Sequence, residues 1–288
     1  MGLFEPDQPP REYERFAKLA LAMAERSMPA RTSRFSRHDF TQPQLFAALL
    51  LRAWLGQTYR GVTRLLHASP GLREAMGLRK TPHWTTLERT ANAPGAGDVL
   101  DRLLANLVAH VGGGARPPIA EAAIDSTGFE SGVASAYFAK RAGKVAQFVK
   151  VSLAVAIGWM LPCALVTSLG ASNDNAQAPA LVRKMAANAR VGVMYADAGY
   201  DGEPLHALCR EELGIESVIK PVPKSRDGSI KTRYRALMTP LPEGYRRRAA
   251  VESVISAIKR VTGSRLRAAS EETLRTEAAF KVVAYAVG

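Results

Sequence analysis

The sequence predicts a mixed α/β sheet flanked by helices and preceded by an all-helical N-terminal domain. Three observations lead there. Residues 1–111 carry apolar side chains at helical spacing. A Gly-Gly-Gly-Ala-Arg-Pro-Pro run at 112–118 interrupts that pattern. Beyond it, short runs rich in Val, Ile and Ala alternate with helical stretches, the ordering of a sheet with helices on its faces.

In the front half, residues 11–27 and 42–56 read as helices, the second with Leu45, Phe46, Leu49, Leu50, Ala53 and Trp54 along one side. Residues 58–92 hold two or three short helices, and Thr85-Thr86-Leu87-Glu88 has capping-box spacing at a helix start. Leu100, Leu103, Leu104, Leu107, Val108 and Val111 form an amphipathic stripe. Glycines followed by a proline pair make a hinge, so 1–111 reads as one domain, 112–118 as the hinge and 119–288 as the second domain. In that second domain, 120–129 reads as a strand ending in a turn, and 146–157 with 161–169 as a hairpin. A helix at 175–188, a buried strand at 191–197, a helix at 203–213 and a strand at 214–220 follow. Two helices, 244–262 and 271–287, close the chain.

Composition removes several classes of function. The chain has 288 residues, 47% hydrophobic and 23% charged, which excludes a disordered protein. Two cysteines exclude a disulfide scaffold and a cysteine-based zinc module. The apolar run 151–166 is shorter than the roughly 20 residues of a spanning helix and is broken by Gly158 and Pro162, so two buried strands fit better than a membrane span. The first twenty residues hold no signal-peptide core, which points to the cytoplasm. There, 39 Lys and Arg against 26 Asp and Glu, a net charge of +13, point to a polyanionic partner, most often nucleic acid.

Two aspartates stand where ligands bind open sheets: Asp125 where the first strand is expected to end, and Asp197 where the fourth ends. An aspartate in such a place is more often a turn residue, and Asp174 and Asp201 read as turn formers. The long helix is more informative. At about 100° per residue, Tyr245, Arg248, Glu252 and Lys259 share a stripe about 60° wide, beside an apolar stripe of Val251, Val254, Ile255, Ile258 and Val261. A solvated Arg248–Glu252 pair at i,i+4 accounts for those two residues. It does not account for seven basic residues and a single acid in 244–267.

The Tyr245-x2-Arg248-x3-Glu252-x6-Lys259 spacing resembles the signature of a large group of bacterial insertion-sequence transposases. AIDSTGFE, around Asp125, is similar to the segment holding that family's first aspartate. YADAGYDG, around Asp197, is similar to the segment holding its second. The resemblance covers about residues 120–288. It implies an RNase H-like catalytic domain whose catalytic and metal-ligating triad is Asp125, Asp197 and Glu252. It also implies cleavage of double-stranded DNA at the element's ends and transfer of the 3′-hydroxyl into target DNA. The implied cofactor is a pair of Mg²⁺ ions, with Mn²⁺ as a substitute. Tyr245, Arg248 and Lys259 would meet phosphates of the element end, and the expected assembly is a dimer on DNA at the nucleoid. The residue types suit that chemistry, because hard cations take carboxylate oxygens and a metal pair can clamp both oxygens of a displacement at phosphorus. Three carboxylates repel one another without metal, so the empty site is expected to be poorly ordered or partly protonated. Two further readings share these residues: a non-transposing RNase H-like nuclease, and a domesticated DNA-binding derivative without catalysis.

Other segments bear on DNA. Residues 220–235 carry six basic residues and one acid among Pro, Gly and Ser, and read as a flexible phosphate-binding loop. Arg31, Arg34 and Arg37 with Phe35 form either an arm along DNA or an exposed linker. Lys140-Arg141 falls between the first and second expected strands, near where DNA would pass, with its role open. Arg60, Arg64, Arg73, Arg79 and Lys80 suit a helical front domain that binds the element end. Trp54, Trp84 and Trp159 read as packing residues, the five histidines as bystanders, and Cys163 and Cys209 as buried thiols.

Overall fold

A computed structural model describes residues 12–31, 38–131, 148–170, 173–223 and 228–288. Its front half is helical: α1 (Glu12–Ser27), α2 (Gln42–Trp54), α3 (Tyr59–Ala68), α4 (Pro70–Ala75), α5 (Trp84–Ala91) and α6 (Ala96–Val111). The sheet follows with β1 (Pro118–Ser131), β2 (Phe148–Ala156) and β3 (Leu161–Leu169). Next come α7 (Asp174–Asn188), β4 (Arg190–Ala196), α8 (Glu203–Ala207) and β5 (Glu216–Ile219). The chain closes with α9 (Arg233–Ala236), α10 (Ala249–Thr262), the two-residue β6 (Arg265–Leu266) and α11 (Glu271–Val287).

The strand order is β3-β2-β1-β4-β5, with β6 beside β1. β1, β2 and β3 pair antiparallel, while β4 and β5 continue parallel to β1. This is the mixed, helix-flanked sheet that the sequence predicts. β2 lies inside it and is buried along nearly its whole length, so its Val- and Ala-rich run shows no alternation. One face of the sheet packs with Val251, Val254 and Ile258 of α10, Phe280 of α11 and the front helices, in a continuous apolar core that includes Leu49, Leu103 and Val151. The other face holds a second core of Ala122, Ile124, Leu181, Met185 and Met194 under α7. No described helix is long and apolar enough to cross a membrane.

Several expectations are corrected. β1 does not end at Asp125; it runs six residues further, because Asp125 through Glu130 stay paired with β2 and Glu130 and Ser131 gain β6 as a second neighbour. The helix expected at 244–262 is two pieces: a 3₁₀ segment, Glu243–Arg248, followed by α10. 3₁₀ turns are frequent at α-helix termini, and here Arg247 of the turn pairs with Glu121 of β1, which Tyr195 of β4 also bonds. The capping box expected at Thr85 is absent; His83 caps α5, while Thr41 with Gln44 and Ser270 with Thr273 form the boxes. Val111 and Val261, placed on apolar stripes, are exposed. The helix expected at 203–213 is α8 followed by a π turn, Leu208–Glu212. α9 and β6 are too short to leave a periodicity in sequence. Trp54 stacks on Phe16 at 4.4 Å, and Cys163 and Cys209 are buried, as expected. Arg34, Phe35, Arg37, Lys140, Arg141, Lys224 and Arg226 lie outside the described residues.

Candidate active site

The site begins with the alternation of β1. From Glu121 onward its odd-numbered residues lie on the α10 side, and three of them meet the signature segment in register. Arg247 ion-pairs with Glu121, Arg248 with Asp125 at 3.6 Å, and the Lys259 ammonium stands 5.6 Å from the centre of the Phe129 ring. The segment therefore runs along β1 in the strand's own direction. Tyr195 on β4 strengthens the first of these contacts by donating its hydroxyl to Glu121 at 2.7 Å. A Cβ on Gly244 would lie 2.5 Å from that hydroxyl, so only glycine lets the 3₁₀ turn settle onto β4.

Arg248 is the hub. Besides Asp125 it bonds Glu252 one turn on, and it touches the Tyr245 phenol. Asp125 is mostly buried and accepts the Ser126 amide at 2.7 Å. Burial raises the Asp125 carboxyl above the ordinary range, and the charges of Asp197 and Glu252 add to the rise against the Ser126 amide and Arg248. Asp197 follows β4 and caps a 3₁₀ turn, accepting the Gly199 amide at 2.9 Å. Burial also raises the Tyr245 phenol, with Asp197 and Glu252 contributing in the same direction. Of the three acids expected from sequence, Asp125 thus lies within electrostatic reach of both Asp197 and Glu252, with Glu252 the most exposed.

Two features were not read from sequence. The even-numbered Ser126 faces away from α10. Its hydroxyl bonds the buried Tyr200 hydroxyl at 2.6 Å and the Ser152 hydroxyl at 2.8 Å, and Ser152 continues to Gln177 at 3.0 Å. Tyr200 closes the turn that Asp197 caps, so this chain ties the two aspartate backbones together from behind. Burial raises the Tyr200 phenol strongly, reinforced by Asp174, Asp125 and Asp197. Asp174 is a fourth acid beside the site. It ion-pairs with Lys150 of β2 at 2.7 Å, and a Cβ on Gly199 would sit 3.3 Å from Asp174 and 3.1 Å from Asp197. Asp201 is no simple turn former either; it is buried in a two-point pair with Arg235 at 2.7 Å and accepts the Val222 amide. The described part of the expected flexible loop is therefore pinned at α9.

The sequence profile of the transposase DDE domain matches residues 117–287, more than half of the chain. This chain belongs to the DDE transposase family. A loose structural likeness accompanies the match. A piggyBac transposase, solved by cryo-EM in a synaptic complex with hairpin DNA, aligns at 12% identity and a TM-score of 0.42, covering 95% of this chain and 72% of that one. No curated protein sequence matches the chain. Among the described residues of this transposase, no three Asp, Glu, His or Cys side chains are already drawn together as metal ligands. The geometry gives a reason: the Arg248 guanidinium ion-pairs with both Asp125 and Glu252 and supplies positive charge between them.

Proposed function

We propose that this transposase cleaves a phosphodiester at the end of its element and joins the freed 3′-hydroxyl to target DNA in the same site. The observation that carries the proposal is the shared guanidinium: a mid-strand aspartate and a glutamate 127 positions away answer to Arg248, with Asp197 close enough to perturb Asp125. Asp125, Asp197 and Glu252 are the residues that would hold two divalent ions, Mg²⁺ or Mn²⁺. The donor set fits, since carboxylate oxygens are hard ligands and Mg²⁺ keeps several waters, so few side chains suffice. Bound there, such a pair stabilises charge on the attacking and leaving oxygens at phosphorus.

The chain's own groups do the rest. Tyr245 offers a hydroxyl, and Arg248 and Lys259 offer cations, along one rim of β1 where the phosphates of the element end would lie. Arg248 can take two phosphate oxygens at once through its planar fork once a carboxylate releases it. The Tyr200–Ser126–Ser152 chain holds the Asp125 and Asp197 backbones in place. We assign residues 1–111 to binding the element end, with a dimer gathering two ends. A nuclease that nicks without joining is the second reading on the same residues.

The test is a strand-transfer assay with duplexes carrying the element ends, in Mg²⁺. Asp125→Ala, Asp197→Ala and Glu252→Ala should each lose nicking and joining by about a thousandfold, the scale of a lost electrostatic group in a reaction centre. Duplex affinity should be retained. A variant that still nicks removes its residue from the site. Wild-type nicking without joining selects the nuclease.

A further inference from the structure

Where the front helices meet the far end of the signature helix, a cleft of about 670 Å³ opens between α2, α10, β6 and α11. Five cations line it, Arg52, Arg260, Arg265, Arg267 and Lys281, against one carboxylate, Glu277. That carboxylate is already engaged. Its Oε1 meets Arg52 at 3.3 Å, and its Oε2 accepts the amides of Arg267 and Ala268 at 2.7 and 2.8 Å. Arg260 and Arg265 are exposed and have no carboxylate partner among the described residues. Arg52 is 5% exposed, its guanidinium lies over the Tyr59 ring, and its Nε–H has no hydrogen-bond acceptor among the described residues. Lys281 donates to the carbonyls of Thr262 and Gly263. Burial pushes its pKa down to about 8, and Arg52 and Arg267 push the same way against the opposing pull of Glu277. A buried donor without an acceptor, beside cations that repel one another, describes a place built for an anion.

The cleft is separate from the acids. Arg260 lies eight residues past Glu252, about 12 Å along the helix axis. That corresponds to roughly three to four steps of 3.4 Å along a DNA strand. We propose that this cleft seats a backbone phosphate of bound DNA and so anchors the duplex beyond the reacting centre. The proposal rests on the reading that DNA is the partner. Free phosphate or pyrophosphate would present the same chemistry, and the test separates the two sources.

The full chain is titrated with fluorescent duplex in EDTA across a potassium chloride series, so that catalysis plays no part. The double variant Arg260→Ala/Arg265→Ala changes exposed side chains only, and its melting should follow the wild type. It should bind the duplex about tenfold more weakly, with the slope of log K against log salt reduced by about 1 to 2. The control is Arg183→Ala/Arg190→Ala, which loses the same number of cations; Arg190 starts β4, about 22 Å from the Asp197 end. The control should keep the wild-type slope. Equal losses in both doubles overturn the cleft as a site. Inorganic phosphate or pyrophosphate protecting the wild type but not the first double, with duplex affinity unchanged, overturns the DNA assignment in favour of a free anion. If the wild type binds no duplex, the broader reading of a DNA partner fails with it.

Discussion

At the scale of single residues, Arg248 decides how the candidate site looks without metal. One guanidinium between two carboxylates offsets part of the repulsion among the clustered acids, though the Asp125 carboxyl still stays raised. A divalent ion competes with it for the same oxygens. Arg248→Ala should therefore tighten Mn²⁺ binding to the DNA-free chain about two- to tenfold, the scale of one or two partly exposed ion pairs, with Arg248→Lys in between. Calorimetric titration reads this directly, and unchanged or weaker binding would mean that Arg248 does not occupy the ion's place.

At the scale of elements, the site depends on how the signature segment and the turns are fastened to the sheet. Glu121, Tyr195 and Arg247 fasten the 3₁₀ turn, and Tyr200 with Ser126 fastens the Asp197 turn. Asp201 fastens α9 and the basic segment before it: Arg235 is 7% exposed and Asp201 3%, so their charges are almost fully removed from water. Removing one partner leaves the other buried and unpaired. Asp201→Ala should cost about 3–5 kcal/mol in urea unfolding. A loss below about 1 kcal/mol would mean that Arg235 reaches solvent once released.

At the scale of the whole molecule, α11 joins the helical front to the sheet, and it does so with charge as well as apolar surface. Phe280 and Val283 lie in the shared core, Glu277 holds Arg52 of α2, and Lys281 closes the end of α10. Lys281 is only 6% exposed, and its pKa falls from 10.5 to about 8. The folded state thus binds this proton less tightly than the unfolded state. Its protonation costs stability in full below pH 8, and that cost fades as pH rises from 8 to 10.5, on the order of 3 kcal/mol across the window. Stability measured in urea should carry this upward contribution in the wild type and lack it in Lys281→Met. The same pH slope in both proteins would assign the rise to other groups.

The α/β class, the hairpin of β2 and β3, the turn position of Asp197 and the spacing of the four signature residues were legible from local sequence, because periodicity, chain breakers and fixed spacings are local properties. It misplaced Asp125 at a strand end, since how far β1 continues depends on β6, a partner more than 130 residues away. It treated 244–262 as one helix, since a uniform wheel cannot register the pull of Tyr195 and Glu121 on the first turn. It read Asp174 as a turn former and passed over Lys150, Tyr200 and Ser126, each unremarkable in its own neighbourhood. That Arg248 bridges Asp125 and Glu252, and that five cations converge where α2 meets α10, emerged from the folded arrangement, because charges remote along the chain acquire their energies from neighbours that folding alone supplies.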